Sequence, residues 1–219
     1  MKKYIGLALI LAVFTVSQVC AETTTLFLTD APRYTVTASN GKAYYVGAVG
    51  GNILGGTKAN YYCDDFNATS YIGSNFSVLV STLSNISQTK FGNTGDALRK
   101  YQQVGWLMYQ MEINPLDVNK TAAIQFAMWS VFTPSAPTYE GSAAWLDASS
   151  KIDASSYDFS QMRIYTPAGA NNTNQEFVGG SVSAVPEPAE WMLLIIGLGL
   201  ITYSVQRNRR EGAVIRIAA

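Results

Sequence analysis

The sequence predicts an α+β protein. Its centre is a β-rich, partly barrel- or sandwich-like domain with an insertion of two to three helices, and it is flanked by an N-terminal signal peptide and a short C-terminal transmembrane helix. Three observations carry this. Short β-branched or alternating runs, punctuated by Gly and Asn-Gly, fill the first half. Apolar residues at three- and four-residue steps fill the middle. Two uncharged apolar runs stand at the ends, each beside basic residues.

At the N-terminus, Lys2 and Lys3 precede an apolar run from Ile5 to Val16, and Val19-Cys20-Ala21 precedes Glu22. A basic start, a short apolar middle and a small-residue exit make a secretory signal peptide, residues 1–21, cut between Ala21 and Glu22. The run is short for a membrane anchor. A lipidated Cys20 would need a small residue where Val19 stands. Cleavage therefore removes Cys20 and leaves Cys63 as the one cysteine of the exported chain.

The exported domain, residues 22–184, begins with β signals. Thr24 to Thr29 is one strand. Arg33 to Ser39 and Ala43 to Val49 pair as a hairpin across Asn40-Gly41. The Gly50-Gly51 and Gly55-Gly56 pairs mark a loop. Asn60 to Phe66 is a short aromatic strand carrying Cys63, and Phe76 to Leu83 is strand or helix. Helices follow. Thr94 or Asp96 caps a segment with Ala97, Tyr101, Val104, Met108 and Met111 on one stripe, ended by Asn114-Pro115. A second helix runs from Val118 to Phe132 and stops before Thr133-Pro134, and a third covers Gly141 to Ile152. Gln161 to Tyr165 and Glu176 to Val182 return to strand.

Composition excludes whole classes of function. With no histidine, the chain holds no Ser-His-Asp or Cys-His dyad and no His-ligated metal. Two cysteines cannot make a four-Cys zinc site, so neither metal nor cofactor is expected. The formal charge is zero with 14% charged residues, but residues 22–185 carry nine basic against twelve acidic residues, a net −3. A mildly acidic domain is no nucleic-acid binder.

The C-terminus reads Pro186-Glu187-Pro188, an uncharged run over residues 191–205, then Arg207, Arg209 and Arg210. Fifteen helical residues reach roughly 22 Å against a hydrocarbon core of about 30 Å. The arginines belong on the cytoplasmic side, with the domain outside the inner membrane. Residues 185–210 closely resemble the PEP-CTERM sorting signal of Gram-negative bacteria. The resemblance implies processing by an exosortase near Pro186-Glu187-Pro188, a membrane-anchored intermediate, and release or attachment at the surface in a setting of exopolysaccharide and biofilm. A further tail, residues 211–219, departs from the family pattern, which usually stops after the arginines.

Two residues stand out chemically. Gln125 lies in Ile124-Gln125-Phe126-Ala127-Met128-Trp129, on a helix apolar almost all round and hence buried. A buried amide needs a partner. Cys63, in Tyr61-Tyr62-Cys63-Asp64-Asp65-Phe66, is a small core residue, an intermolecular disulfide former or a nucleophile. Asp64 and Asp65 read as solvated turn acids. Together the two segments resemble the thioester domains of bacterial surface adhesins, in which a Cys joins a Gln on an (apolar)-Gln-x-Ala-(apolar)-Trp helix. The resemblance spans residues 60 to 132. It implies a Cys63–Gln125 thioester walled by Tyr62 and Trp129, formed by proximity without a histidine. Such a bond captures an amine or hydroxyl of a surface protein or exopolysaccharide once, which is not enzymatic turnover, so no residue is assigned as catalytic. The alternatives are a noncovalent structural or carbohydrate-binding surface protein, for which 13 tyrosines would serve equally, and a hydrolase, for which no acid pair stands in a distinctive motif.

Overall fold

A computed structural model describes residues 22–169, 172–185 and 194–206. The expected signal peptide with Ala21, the motif Pro186-Glu187-Pro188, Arg207, Arg209, Arg210 and the tail 211–219 lie outside the described residues. Glu22 opens the first strand. In chain order the elements are β1 (Glu22–Asp30), β2 (Tyr34–Thr37), β3 (Ala43–Val46), β4 (Val49–Ile53), β5 (Ala59–Cys63) and β6 (Asn75–Ser81). Then come α1 (Ala97–Glu112), α2 (Val118–Phe132), α3 (Ser142–Ser150), β7 (Tyr157–Asp158), β8 (Arg163–Pro167), β9 (Phe177–Gly179) and β10 (Ser183–Ala184).

Six strands close into a barrel in the order β1-β4-β5-β9-β8-β6, every pair antiparallel. The three helices are inserted between β6 and β8. The Asn40-Gly41 hairpin forms as expected, with Tyr34 opposite Val46 and Thr37 opposite Ala43, but β2 and β3 stand outside the barrel. The return strand does not run through to Val49. It turns a corner at Gly47, where φ is +102°, and restarts as β4.

Gly50 and Gly51, expected in a loop, are inside β4. Crowding explains them. A Cβ at Gly51 would stand 2.5 Å from the Phe27 carbonyl oxygen, and one at Gly50 would stand 2.3 Å from the Asp30 carboxylate. The β1–β4 register shifts between Leu28 and Asp30, so the two backbones come close there as at a bulge. The ambiguous run from Phe76 resolves as strand β6, and Thr82 then caps a short 3-10 segment, Leu83–Gln88.

Alternation along the strands sorts the core in two. Leu26, Val78, Tyr61, Cys63 and Phe177 fill one cluster, inside the barrel. Their neighbours Tyr62, Ile164 and Val178 face outward into a second cluster with Tyr101, Leu107 and Met108 of α1. α2 serves both. Phe126 and Trp129 join the first cluster, while Ile124, Ala127 and Met128 join the second. Asp117 caps α2 by accepting from the Lys120 amide at 3.0 Å.

Residues 194–206 are helical and nearly all exposed, from Leu194 to Val205. The expected membrane segment 191–205 thus appears as helix from residue 194, and its first three residues lie outside the described ones. No helix among the described residues is long and apolar enough to cross a membrane.

Phe126 is fully buried, stacked on Tyr139 and edge-on to Trp129. Phe126→Ala should cost about 3–5 kcal/mol of unfolding free energy, against about 1 kcal/mol for Asp117→Ala. Urea unfolding of the two variants checks the order. Equal losses would show that α2 is held by its cap rather than by its packing.

Candidate functional site

Strand β5 delivers Cys63 and helix α2 delivers Gln125. Both are buried, and Cys63 is a free thiol. The Gln125 amide nitrogen donates to the Cys63 carbonyl oxygen at 2.7 Å, so the two residues, 62 positions apart, touch directly. They line one cavity of about 560 Å³, with Trp129, Phe66, Tyr44 and Phe177 among its walls and no Asp, Glu, Lys or Arg on its lining. Tyr44, Phe66 and Trp129 form an aromatic corner with ring centroids 5.5–6.0 Å apart.

The Cys63 thiol donates to the Asp65 carbonyl at 3.3 Å. Burial pushes its pKa far above that of a free thiol, the nearby Asp64 carboxyl adds to this, and the thiol is therefore held as S–H. The Trp129 indole lies near enough to the sulfur to oppose that rise slightly, yet its N–H lacks a partner of hydrogen-bonding geometry. A buried donor without a partner beside a buried sulfur is a group with unspent hydrogen-bonding capacity.

One expected wall residue is misplaced. Tyr62 points away from this cavity into the second core cluster, because successive side chains of β5 alternate faces and Cys63 faces inward. Tyr44, Phe66 and Gln175 take the role instead. Gln175 was not legible from the sequence. It accepts from the Ser70 amide at 3.3 Å and donates to the Asp65 carbonyl at 3.1 Å, fastening the segment after Cys63 to the chain before β9. Tyr44 could have been found as the inward residue of the β2–β3 hairpin.

Asp64 and Asp65 are not solvated turn acids. Both are fully buried, together with Glu176. Asp65 is paired with the Lys90 ammonium and accepts from the Asn67 amide at 3.2 Å. Glu176 accepts from Tyr101 Oη at 2.5 Å, from the Lys90 amide at 2.8 Å and from the Thr166 hydroxyl. Asp64 has neither oxygen satisfied. Burial, then the neighbouring Glu176 and Asp65 carboxyls, drive Asp64 well above the usual carboxylate range, and burial raises Glu176 as well. Among the described residues no group of three or more His, Cys, Asp or Glu side chains could hold a metal.

The sign of the Asp64 shift fixes a pH dependence. The folded chain holds this proton more tightly than the unfolded chain does. The associated stability is fully present below the ordinary carboxyl value of 3.8 and is lost as pH rises toward the folded one. Asp64→Asn removes that loss, so its thermal stability relative to the native chain should improve as pH rises above the ordinary carboxyl value of 3.8. An advantage that shrinks as pH rises would show that the carboxyl is not raised.

No family model matches the sequence, and no curated protein does. Among solved structures, the fold is similar to the N-terminal thioester domain of fibronectin-binding protein SfbI from Streptococcus pyogenes, at 14% identity and a TM-score of 0.41, covering 79% of this chain and 98% of that one. It is also similar to the N-terminal domain of the Streptococcus pyogenes pilus tip adhesin Cpa, at 13% identity and a TM-score of 0.40, covering 78% and 97%.

Proposed function

We propose that this chain is an exported bacterial surface or matrix protein that captures a target covalently through an internal thioester between Cys63 and Gln125. One observation carries the reading. An amide from the middle of an apolar helix rests on the one cysteine among the described residues, at 2.7 Å from its carbonyl oxygen, in a cavity with no charged lining. The bond brings the residue that carries the amide to the residue that carries the thiol, which is the first requirement of a reaction between the two.

The chemistry balances within the pair. The Cys63 sulfur attacks the side-chain carbonyl carbon of Gln125, an S–C bond forms, the C–N bond breaks, and the thiol proton leaves with the nitrogen as ammonia. Capture reverses the sense. A target amine or hydroxyl attacks the same carbon, and its proton returns to the departing sulfur. The aromatic corner excludes water from the acyl carbon until then. Each chain acts once.

The second reading, a noncovalent structural or carbohydrate-binding surface protein, is favoured by the same hydrogen bond and by the raised thiol. Buried glutamines commonly bond backbone carbonyls, and a protonated buried cysteine is inert. Intact mass separates the two. The purified chain should be lighter by one ammonia, the deficit should vanish in Cys63→Ala and in Gln125→Ala, and methylamine should add to the native chain alone. Full mass with a titratable thiol would leave the noncovalent reading in its place.

Export would use the signal peptide and the C-terminal segment, with an exosortase acting near Pro186-Glu187-Pro188 on an inner-membrane intermediate held by residues 191–205, and the domain ending at the surface or in the extracellular matrix. Replacing Pro186, Glu187 and Pro188 by Ala should leave the C-terminal segment attached and the protein in the membrane fraction. Unchanged processing of that variant in the native host would count against exosortase sorting.

A further inference from the structure

We propose that a second cavity beside the Cys63–Gln125 site binds a carboxylate group of the target, and that the target is a polysaccharide containing uronic acid residues. The proposal deepens the reading above, since it takes the first cavity as the place of capture.

The second cavity, of about 360 Å³, shares Ala31 and Gly47 with the first. Gly47 lines both of them. With φ at +102° it is a position that L side chains rarely adopt, and a Cβ there would come within 3.1 Å of the Thr121 side chain. With no side chain at this shared wall and only Ala31 beside it, the two hollows are near enough for one extended ligand to reach both.

Their chemistries differ. The first has no charged lining, whereas the second carries Arg33 and Lys58 against Asp30 alone. Lys58 is paired with Asp30 at 2.6 Å, but both side chains are at least half exposed, and such pairs hold weakly. Arg33 has no carboxylate partner among the described residues and lies over the Tyr34 ring, 5.6 Å from its centre. A free guanidinium on an otherwise acidic domain is an attractive seat for a carboxylate, which it can grip with two parallel hydrogen bonds. Tyr34 is itself fixed, donating to the Pro115 carbonyl at 3.3 Å. Deeper, Thr121 is 3% exposed and its hydroxyl has no partner, an unmet bond beside the cavity.

The two-part chemistry favours a sugar chain over an acidic peptide. A sugar ring can lay its hydroxyl-bearing face in the uncharged cavity and keep its carboxylate on the solvent side, whereas a lysine ammonium at the end of a flexible stem would find no counter-ion there. Tyr45 and Tyr71, 63% and 72% exposed, line the same cavity and offer flat amphipathic faces for sugar rings. In a uronic acid polymer, ring hydroxyls and carboxylates recur together along the chain, which suits an uncharged cavity adjoining a cationic one.

The test uses the full chain carrying Cys63→Ala, so that only noncovalent binding is read. Titration with oligogalacturonate should give saturable binding, weakened about tenfold or more in the Arg33→Ala, Lys58→Ala double variant, while dextran of equal length should not bind. Binding that is absent, or unchanged in the double variant, overturns the subsite. Tighter binding of a glutamate-rich peptide than of oligogalacturonate overturns the saccharide assignment. Intact mass of the native chain is read in parallel. An ammonia deficit without oligogalacturonate binding sinks the subsite alone, and binding with a full-mass native chain sinks the thioester alone.

Discussion

Helix α2 has almost no polar surface in its middle turns, and the rest of the domain is arranged to enclose it. Thr121 through Trp129 are all buried, with Ile124 and Met128 packed on the α1 side and Phe126 and Trp129 on the barrel side. A helix of this kind is stable only when covered all round. The barrel supplies one cover and α1 and α3 the other, which is why the two core clusters meet along α2. Gln125 is the exception in the run, and its amide is satisfied by the Cys63 carbonyl. The hydrogen bond therefore fixes the end of β5 against the helix, and with it the place of the thiol.

A second constraint lies directly after Cys63. Three carboxyls, Asp64, Asp65 and Glu176, are buried around one ammonium, Lys90, and three like groups cannot all ionise in so little water. The two that have partners remain anchored, Asp65 to Lys90 and Glu176 to Tyr101, Thr166 and the Lys90 backbone. Asp64, without partners, is held well above the usual carboxylate range by burial and by the Glu176 and Asp65 carboxyls. The cluster ties β5, β9, α1 and the Lys90 turn together through polar contacts. It stiffens the segment that carries the cysteine, at the cost of one unsatisfied group, and rigid support is what a proximity-driven reaction needs.

The sequence made much of this legible, for reasons that can be named. α1 and α2 show in the three- and four-residue apolar steps and in their stop signals, and the Asn40-Gly41 hairpin in its turn. Gln125 stood out because an amide among eight apolar or small neighbours, from Thr121 to Trp129, must be buried. What was not legible depends on partners distant along the chain. Gly50 and Gly51 look like a loop until β1 is seen to press on them. Asp64-Asp65 looks like a solvated turn until Lys90 and Glu176 arrive from 25 and 111 or more residues away. Tyr62 is a different kind of miss. Period-two alternation places Tyr61 and Cys63 on one face and Tyr62 on the other, so its orientation was available from the strand itself.

The raised thiol sharpens what the proposed bond would do. A thioester reacts by expelling its sulfur, and expulsion is easier the more stable the thiolate. Burial of Cys63, with Asp64 alongside, destabilises a thiolate, so the buried position of the sulfur makes it a reluctant leaving group. The same burial keeps water from the acyl carbon. Both effects slow wasteful hydrolysis, and both are relieved by any ligand that brings polar groups against the sulfur. The Trp129 indole N–H, buried and without a partner, lines the same cavity as Cys63 and is a donor that a departing sulfur could use. A thioester held in a site of this construction would be kept in the absence of target and spent on contact. For a bond proposed to react once, that property would decide whether it meets its target still loaded.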